Sequence, residues 1–263
     1  MEEYKHNFKK KFGQNFLKDE NIITKIVNSA SIEENALIIE IGPGSGALTK
    51  ELIKKGNVIA YEIDKDLENP LLEKFGNNTN IRFIFDDFLN RNVKKDIEQE
   101  KYNKLYVVAN LPYYITTPII TKLIEEQLNV EKIVVMVQKE VGDRFSALPK
   151  TKDYSSITVF LNYYFEIKKL FVVSRNNFYP RPNVDSIIIS LKRKEKMNKA
   201  INETLFFKLV RDSFQYKRKN LRNNLKQYNL EKIEEVLKKY GKDLTCRAEE
   251  LTLEHFIEIS NNL

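Results

Sequence analysis

The sequence predicts an α/β fold: a mostly parallel sheet with one antiparallel hairpin at its edge, followed by a small all-helical domain. Five apolar runs of strand length alternate with stretches in which apolar residues recur at helical spacing. Runs that are apolar throughout are typical of parallel strands covered by helices on both faces. The predicted strands are residues 36–41, 58–63, 81–85, 105–109 and 133–137.

Two further strand-like segments, residues 165–173 and 184–191, are joined by a short proline-containing turn. This close spacing predicts the antiparallel edge hairpin. Beyond Lys196 the apolar residues follow a helical period, and Gly241 is expected to end the second of these helices. We therefore predict two domains, residues 1–195 and residues 196–263.

The composition argues against several classes of protein. The chain has 263 residues, a single cysteine, Cys246, and two well-separated histidines, His6 and His255. An internal disulfide is excluded, and zinc sites and Ser-His-Asp hydrolysis are poor candidates. No apolar run approaches the ~18 residues of a membrane span, and the N-terminus lacks the apolar core of a secretory signal. We expect a cytoplasmic protein without metal or membrane partner, and, in the absence of a heptad seam, a monomer.

The net charge of +7 is concentrated in two short segments. Residues 1–18 carry five lysines against two glutamates, and residues 208–226 carry seven basic residues against one aspartate. Phe12, Phe214 and Tyr216 are interleaved with these cations, and aromatic rings can stack on unpaired bases. The pattern favours binding of a polyanion such as RNA, with solvated helix faces as the alternative.

A glycine-rich loop, Gly42-Pro43-Gly44-Ser45-Gly46, follows the first predicted strand and precedes a helix. Glycines there let the backbone approach a ligand and leave amide N–H groups available at the helix start. Glu62 ends the second predicted strand, where an acid can bind ribose hydroxyls. By itself this pattern leaves NAD and an adenosyl sulfonium cofactor nearly equal, because Gly42, Gly44 and Ala47 also satisfy the dinucleotide fingerprint.

The segment Asn110-Leu111-Pro112-Tyr113 follows the fourth predicted strand. It offers an amide, a proline-stiffened backbone and an aromatic ring, which suit a planar base with an exocyclic amino group. An ordinary strand-to-turn junction is the alternative. In a parallel sheet this segment shares a crevice with the glycine loop, and no histidine is positioned for hydride chemistry. The combination favours S-adenosyl-L-methionine (SAM) over NAD.

Together these motifs resemble the ribosomal RNA adenine N6,N6-dimethyltransferase family, small-subunit type, from Lys10 to about Ile259. The resemblance also includes an N-terminal signature that closes over the cofactor, a proline-rich signature whose leading aromatic faces the flipped base, and two C-terminal segments typical of the small-subunit type. These are Lys11-Phe12-Gly13-Gln14-Asn15-Phe16-Leu17, Phe178-Tyr179-Pro180-Arg181-Pro182-Asn183-Val184-Asp185-Ser186, Lys217-Arg218-Lys219-Asn220-Leu221-Arg222-Asn223-Asn224-Leu225 and Arg247-Ala248-Glu249-Glu250-Leu251. The resemblance implies a Rossmann-like SAM-dependent methyltransferase sheet.

The resemblance also implies roles for individual residues. The expected catalytic residues are Asn110, Leu111, Tyr113 and Phe178. The expected SAM-binding residues are Asn15, Leu17, Gly42, Gly44, Glu62, Asp87 and Asn110, with Asp87 rather than Asp86 at the cofactor adenine. No metal is implied.

The implied activity is dimethylation of two adjacent adenosines in a 3′-terminal hairpin loop of small-subunit (16S) rRNA, by SN2 transfer onto a flipped base. The implied partner is the rRNA of an immature small ribosomal subunit, with residues 1–195 as the catalytic domain and 196–263 as the RNA-binding domain. Three alternatives stay open: a large-subunit rRNA adenine methyltransferase, a DNA N6-adenine methyltransferase, and a non-catalytic rRNA-binding assembly factor.

The chain departs from the family pattern at a few loop positions. Asn69-Pro70 is expected to interrupt the helix after Glu62. Lys150 and Ser155 stand where the family often has glycines. These departures affect the expected geometry of two loops, but they remove none of the side chains to which the resemblance assigns a role.

Overall fold

The computed structural model describes residues 15–113, 115–196 and 198–263. These residues form two compact units, defined here as the sheet unit (15–142 and 168–192) and the helical unit (143–167 and 193–263). The sequence predicted one boundary after residue 195, and the functional division at that point stays a prediction. Predictions that concern residues 1–14, including Phe12, lie outside the described residues.

The structure describes nine strands; seven follow the predicted apolar runs within a few residues, and the two strands of two residues each were not predicted. They are β1 (Phe16–Leu17), β2 (Leu37–Ile41), β3 (Asn57–Tyr61), β4 (Ile81–Ile84), β5 (Leu105–Asn110), β6 (Val130–Gln138), β7 (Phe165–Val173), β8 (Phe178–Tyr179) and β9 (Ser186–Arg193).

Helices alternate with these strands and then continue alone. They are α1 (Glu20–Ala30), α2 (Thr49–Leu52), α3 (Glu68–Phe75), α4 (Val93–Asp96), α5 (Thr116–Glu125), α6 (Lys139–Phe145), α7 (Ser156–Tyr164), α8 (Glu203–Ser213), α9 (Leu221–Asn224), α10 (Leu230–Lys239) and α11 (Leu253–Asn262). None of these helices combines the length and apolar character needed to cross a bilayer.

Seven of the described strands form one sheet, in the order β4-β3-β2-β5-β6-β9-β7. The five strands from β2 to β6 run parallel, and β9 pairs antiparallel with β6. Ile38, Ile39, Val107 and Val108 at its centre are fully buried, as expected for strands covered on both faces. The predicted fold class, a mostly parallel sheet with an antiparallel edge, is confirmed.

The parallel pairing brings three predicted site positions to one edge of the sheet. The last residue of β2, Ile41, pairs with the last residue of β3, Tyr61, and β5 runs parallel beside β2. Gly42, Glu62 and Asn110 therefore lie at the carboxyl ends of three neighbouring strands, where open α/β sheets bind ligands.

In the helical unit, a continuous apolar core joins α8, α10 and α11, with Phe206, Ile233 and Phe256 almost fully buried. Tyr163 of α7 belongs to this core: its hydroxyl donates to Glu203 (2.9 Å) and accepts from the Ala200 amide (3.0 Å). These bonds explain why residues 143–167 group with the C-terminal helices.

The structure contradicts one prediction about the loops and helix ends and agrees with another. Pro70 lies in the first turn of α3, where a missing N–H costs no helical bond, so Asn69-Pro70 does not interrupt the helix. Gly241, in the left-handed region at φ 64°, follows the end of α10 as predicted. Lys150 also adopts a positive φ of 70°, a conformation that favours glycine, while Ser155 is extended and caps α7.

Candidate active site

Two residues of the glycine loop, Gly44 and Gly46, lie where a side chain would not fit. A Cβ on Gly44 would lie 2.5 Å from the ring of Phe16, and one on Gly46 would lie 2.4 Å from the ring of Phe75. Both residues also have positive φ angles, 56° and 76°. The loop conformation therefore depends on the absence of side chains at these positions.

Glu62, the residue after β3, stabilises this loop through hydrogen bonds. One of its carboxylate oxygens accepts a hydrogen bond from the Gly44 amide (3.0 Å), and the other accepts from the Asp64 amide (2.9 Å). Burial raises the pKa of Glu62, and the two amide bonds oppose the rise. Each carboxylate oxygen keeps a further lone pair, so the group can accept additional bonds from hydroxyls.

Asn110, at the end of β5, is oriented by the N-terminal segment. Its side-chain nitrogen donates to the backbone oxygen of Asn15 (3.2 Å). The next residue, Leu111, is buried, and its amide donates to the oxygen of Met136 (3.2 Å). The hydroxyl of Tyr113 lies 2.8 Å from the hydroxyl of Ser186 in β9. Backbone, amide and ring at this corner are thus each fixed by a separate contact.

The glycine loop and the Asn110–Tyr113 corner line the same cleft. It encloses about 540 Å³, part of it open to solvent, within the range typical of small-molecule sites. Its lining residues are Asn15, Phe16, Gly42, Gly44, Glu62, Ile63, Asn110, Leu111, Pro112 and Tyr113. A second, mostly apolar pocket of about 440 Å³ shares Phe16, Gly42 and Asn110 with it and includes Leu17.

The predicted base-facing aromatic, Phe178, lies elsewhere. It pairs with Leu17 where β8 meets β1, and the two side chains are 5% and 9% exposed in the apolar core of the sheet unit. Sequence motifs alone did not indicate that this ring packs inward.

The two candidates for the cofactor adenine, Asp86 and Asp87, are also absent from the lining. Asp87 accepts from the Leu89 amide (2.9 Å) and so caps its own turn. Asp86 lies 3.5 Å from the guanidinium of Arg91. The choice between them stays a prediction.

Glu40 is a further acidic residue that the sequence reasoning missed. It is 1% exposed, in β2, and accepts a hydrogen bond from the Thr49 hydroxyl (2.7 Å) across the glycine loop. Burial raises its pKa to about 8, and the nearby charge of Glu62 adds to the rise. A single acid within an otherwise apolar strand was the signal available in the sequence.

The side chains around the cleft fit an adenosyl sulfonium cofactor. Glu62 supplies a carboxylate acceptor suited to hydroxyl groups, and Phe16, Leu48 and Met136 supply apolar surface in the adjoining pocket. In the part of the chain that the structure describes, no group of three or more His, Cys, Asp or Glu side chains could hold a metal ion.

Fold and site together define a Rossmann-like methyltransferase. A family model described as ribosomal RNA adenine dimethylase matches residues 5–263. Over its whole length the chain is 45% identical to ribosomal RNA small subunit methyltransferase A of Bacillus cytotoxicus and 44% identical to that of Bacillus mycoides, each match covering 94% of the relative. The chain belongs to the ribosomal RNA adenine dimethylase family, a family of SAM-dependent adenine dimethyltransferases.

Solved structures agree with this assignment. The 23S rRNA methyltransferase ErmE superposes with a TM-score of 0.74 at 27% identity, covering 94% of this chain and 99% of that one. A dimethyladenosine transferase from Plasmodium falciparum gives a TM-score of 0.75 at 25% identity, covering 93% and 95%. The predicted enzyme class is confirmed.

Proposed function

We propose that this enzyme dimethylates N6 of two adjacent adenosines in the 3′-terminal hairpin loop of 16S rRNA, acting on an immature small ribosomal subunit. The names of the relatives at 44–45% identity support the small-subunit substrate, whereas the 23S rRNA enzyme is 27% identical. The observation that carries the chemistry is the single cleft lined by both Glu62 and Asn110.

The proposed methyl donor is SAM, which when bound supplies a methyl group activated by a positively charged sulfur. Glu62 would accept hydrogen bonds from its ribose, as the lone pairs left by the two backbone amides allow. The proposed contacts are Asn15, Leu17, Gly42, Gly44, Glu62, Asp87 and Asn110.

The target adenine would be held at the Asn110 corner. The side-chain oxygen of Asn110 and a carbonyl near Leu111 would accept hydrogen bonds from the amino group, which frees the nitrogen lone pair from the ring. The proton that N6 loses in each methylation would pass to water. Orientation of two bound reactants can supply about 7–11 kcal/mol, so the main task proposed for these residues is to align the base with the methyl group.

Base flipping costs a few kcal/mol, and stacking on Tyr113 would offset about 1–3 kcal/mol of that cost. Phe178 is proposed as a second stacking ring. Since this ring is buried beside Leu17, the role requires it to turn toward the cleft when RNA binds.

Residues 196–263 are proposed to bind the rRNA. Between α8 and α9 a basic loop presents Tyr216, 58% exposed, together with exposed Lys217, Arg218 and Lys219. The buried side chain of Asn224 supports this loop by donating to the backbone oxygens of Ser213 (2.7 Å) and Tyr216 (3.3 Å). A fixed loop of cations and an exposed ring suits a phosphate backbone.

Mapping the methylated nucleotide tests the proposal. The protein is incubated with labelled SAM and, separately, unmethylated small subunits, large-subunit rRNA and DNA, and dimethyladenosine is located after digestion. Label at two adjacent adenosines of 16S rRNA is expected, and Asn110→Ala should abolish it while leaving SAM binding largely intact, because the other proposed SAM contacts remain. Label in large-subunit rRNA or DNA would instead favour the corresponding alternative, and RNA binding without label would favour an assembly factor.

A further inference from the structure

A cation and an aromatic ring are paired beside Phe16, which lines the cleft, and this pair is called the rim here. The ammonium of Lys18 lies 4.4 Å from the ring centroid of Tyr179. Tyr179 is 53% exposed, and Lys18 is exposed as well. Neither residue lines the two pockets described above, so neither has a role in the proposed contacts to SAM or to the target base.

The pairing of β1 with β8 determines which way these side chains face. Phe16 lies directly opposite Tyr179, and directly opposite residues of an antiparallel pair share one face. Lys18 is two residues beyond Phe16 and lies on that face too, because side chains alternate along an extended chain. Leu17 and Phe178 occupy the other face and are buried. Lys18 and Tyr179 therefore extend the cleft wall that Phe16 forms.

The backbone holds this rim in place. Besides the β1–β8 pairing, the Lys18 amide donates to the backbone oxygen of Asn177 (3.0 Å). The buried pair Leu17 and Phe178 anchors the opposite face in the core of the sheet unit. The exposed ring is thus presented by a fixed backbone, which lowers the entropy lost when a ligand stacks on it.

The chemistry of the rim suits a nucleotide. An exposed tyrosine ring offers a π surface on which any base can stack, and an adjacent ammonium can neutralise a phosphate. Arg181, also exposed, follows Tyr179 two residues later and adds a second positive charge on the same segment. Single-stranded RNA offers both parts of a matching ligand, a base for the ring and a phosphate for the cations.

We propose that Lys18 and Tyr179 form a second nucleotide subsite, which binds the nucleotide next to the target adenine in the RNA strand. Tyr179 stacks on the neighbouring base, and Lys18 contacts the phosphate that links it to the target. This inference rests on the proposed function, under which the occupant is the second of the two adjacent adenosines. The subsite keeps that neighbour splayed from its stack while the first base is in the cleft.

Steady-state methylation of unmethylated small subunits tests the subsite. Tyr179→Ala should raise KM for the subunit about tenfold with unchanged affinity for SAM, because one base stack is lost. Tyr179→Phe, which retains the ring, should recover most of that loss. Lys18→Gln should lower the dependence of log(kcat/KM) on log[salt] by about one unit of slope.

Lys25→Gln is the matched control. Lys25 also lies over an aromatic ring, 4.1 Å from the centroid of Phe171, but neither residue lines the cleft. The substitution removes the same charge from a similar pair and should leave KM and the salt slope unchanged. An equal effect of Lys25→Gln and Lys18→Gln would mean that Lys18 acts only through overall charge, which overturns its role in the subsite.

The outcomes separate this inference from the proposed function. Methylation by the unaltered protein with an unchanged KM in Tyr179→Ala would overturn the subsite alone. Failure of the unaltered protein to methylate small subunits would overturn both. If Tyr179→Ala loses SAM binding through local unfolding, Tyr179→Leu preserves the apolar contact without the π surface, and it should show the same rise in KM.

Discussion

The side-chain nitrogen of Asn110 donates a hydrogen bond to the backbone carbonyl of Asn15, across 3.2 Å. A carbonyl oxygen can only accept, so this contact fixes the orientation of the amide and leaves its oxygen as the acceptor for a ligand. The N-terminal segment of the described chain therefore sets the direction of the group that we propose holds the target base.

Asn110→Asp tests whether the orientation of the Asn110 amide is needed for activity, since the substitution keeps a polar side chain but removes the donor. The substitution removes the donor and puts a carboxylate oxygen beside the Asn15 carbonyl, at an expected cost of about 2–3 kcal/mol. We expect kcat to fall roughly 30- to 150-fold, measured by single-turnover methyl transfer, while SAM affinity measured by calorimetry changes little. Asn28→Asp makes the same charge change on an exposed position of α1 and should be neutral. Wild-type turnover by Asn110→Asp would contradict the orienting role.

Gly46→Ala should destabilise the sheet unit through a steric clash. The added Cβ would lie 2.4 Å from the Phe75 ring, and the positive φ adds backbone strain. We expect a loss of about 2–4 kcal/mol in unfolding free energy, measured by urea denaturation. Gly241→Ala has a similar φ with no heavy atom within 4 Å, so it should cost only about 1 kcal/mol. Equal losses would show that Phe75 moves aside freely.

Glu40→Gln should flatten the pH dependence of stability. The folded-state pKa of about 8 exceeds the ordinary 4.5, so the folded protein retains a proton that the unfolded chain releases. This contribution to stability is fully present below pH 4.5 and is lost as the pH rises to about 8. Between pH 5 and 8, unfolding free energy should fall by up to about 1.4 kcal/mol per pH unit in the unaltered protein and less steeply in the variant.

Urea unfolding at pH 5, 6, 7 and 8 measures this difference in slope. The exposed Glu34→Gln serves as the control and should parallel the unaltered protein. Some slope should persist in Glu40→Gln, because burial raises the pKa of Glu62 too. Identical slopes in Glu40→Gln and the unaltered protein would show that Glu40 is not protonated in the folded protein.

Ser186 should affect methyl transfer only by positioning the ring of Tyr113. Their hydroxyls lie 2.8 Å apart, and Ser186 is buried in β9, so this bond aims the ring at the cleft. Tyr113→Phe and Ser186→Ala should each lower kcat/KM about five- to tenfold, near the ~1 kcal/mol of one hydrogen bond. The double variant should be no worse than either single one, as a double-mutant cycle would report. Independent, multiplying effects would argue against this coupling.

Apolar runs located the central strands of the large sheet because β2, β5 and most of β6 are buried on both faces. The run at 133–137 underestimated β6, which begins at Val130, because Glu131 and Lys132 interrupt the apolar pattern while remaining in the strand. The two-residue strands β1 and β8 carried no such signal. Their pairing depends on contacts between distant parts of the chain, which periodicity within a short window does not reveal.

Because Gly42, Glu62 and Asn110 each follow or end a predicted parallel strand, the sequence predicted that they share one crevice, and all three line the cleft. The same logic did not extend to Asp87, since the chain turns after β4 and this carboxylate caps the turn. For Phe178 the sequence indicated an aromatic residue before two prolines, but the facing of its ring is set by the register of β8 against β1.

The short pairing of β1 with β8 also bears on the order of folding. Phe16 and Leu17 are among the first described residues, yet their partners emerge from the ribosome only after the parallel strands β2 to β6. Closing so long a loop is entropically slow and gains little until the intervening sheet has formed. One wall of the ligand site is therefore completed only late in synthesis, and a nascent chain that lacks residue 178 cannot yet hold that wall closed.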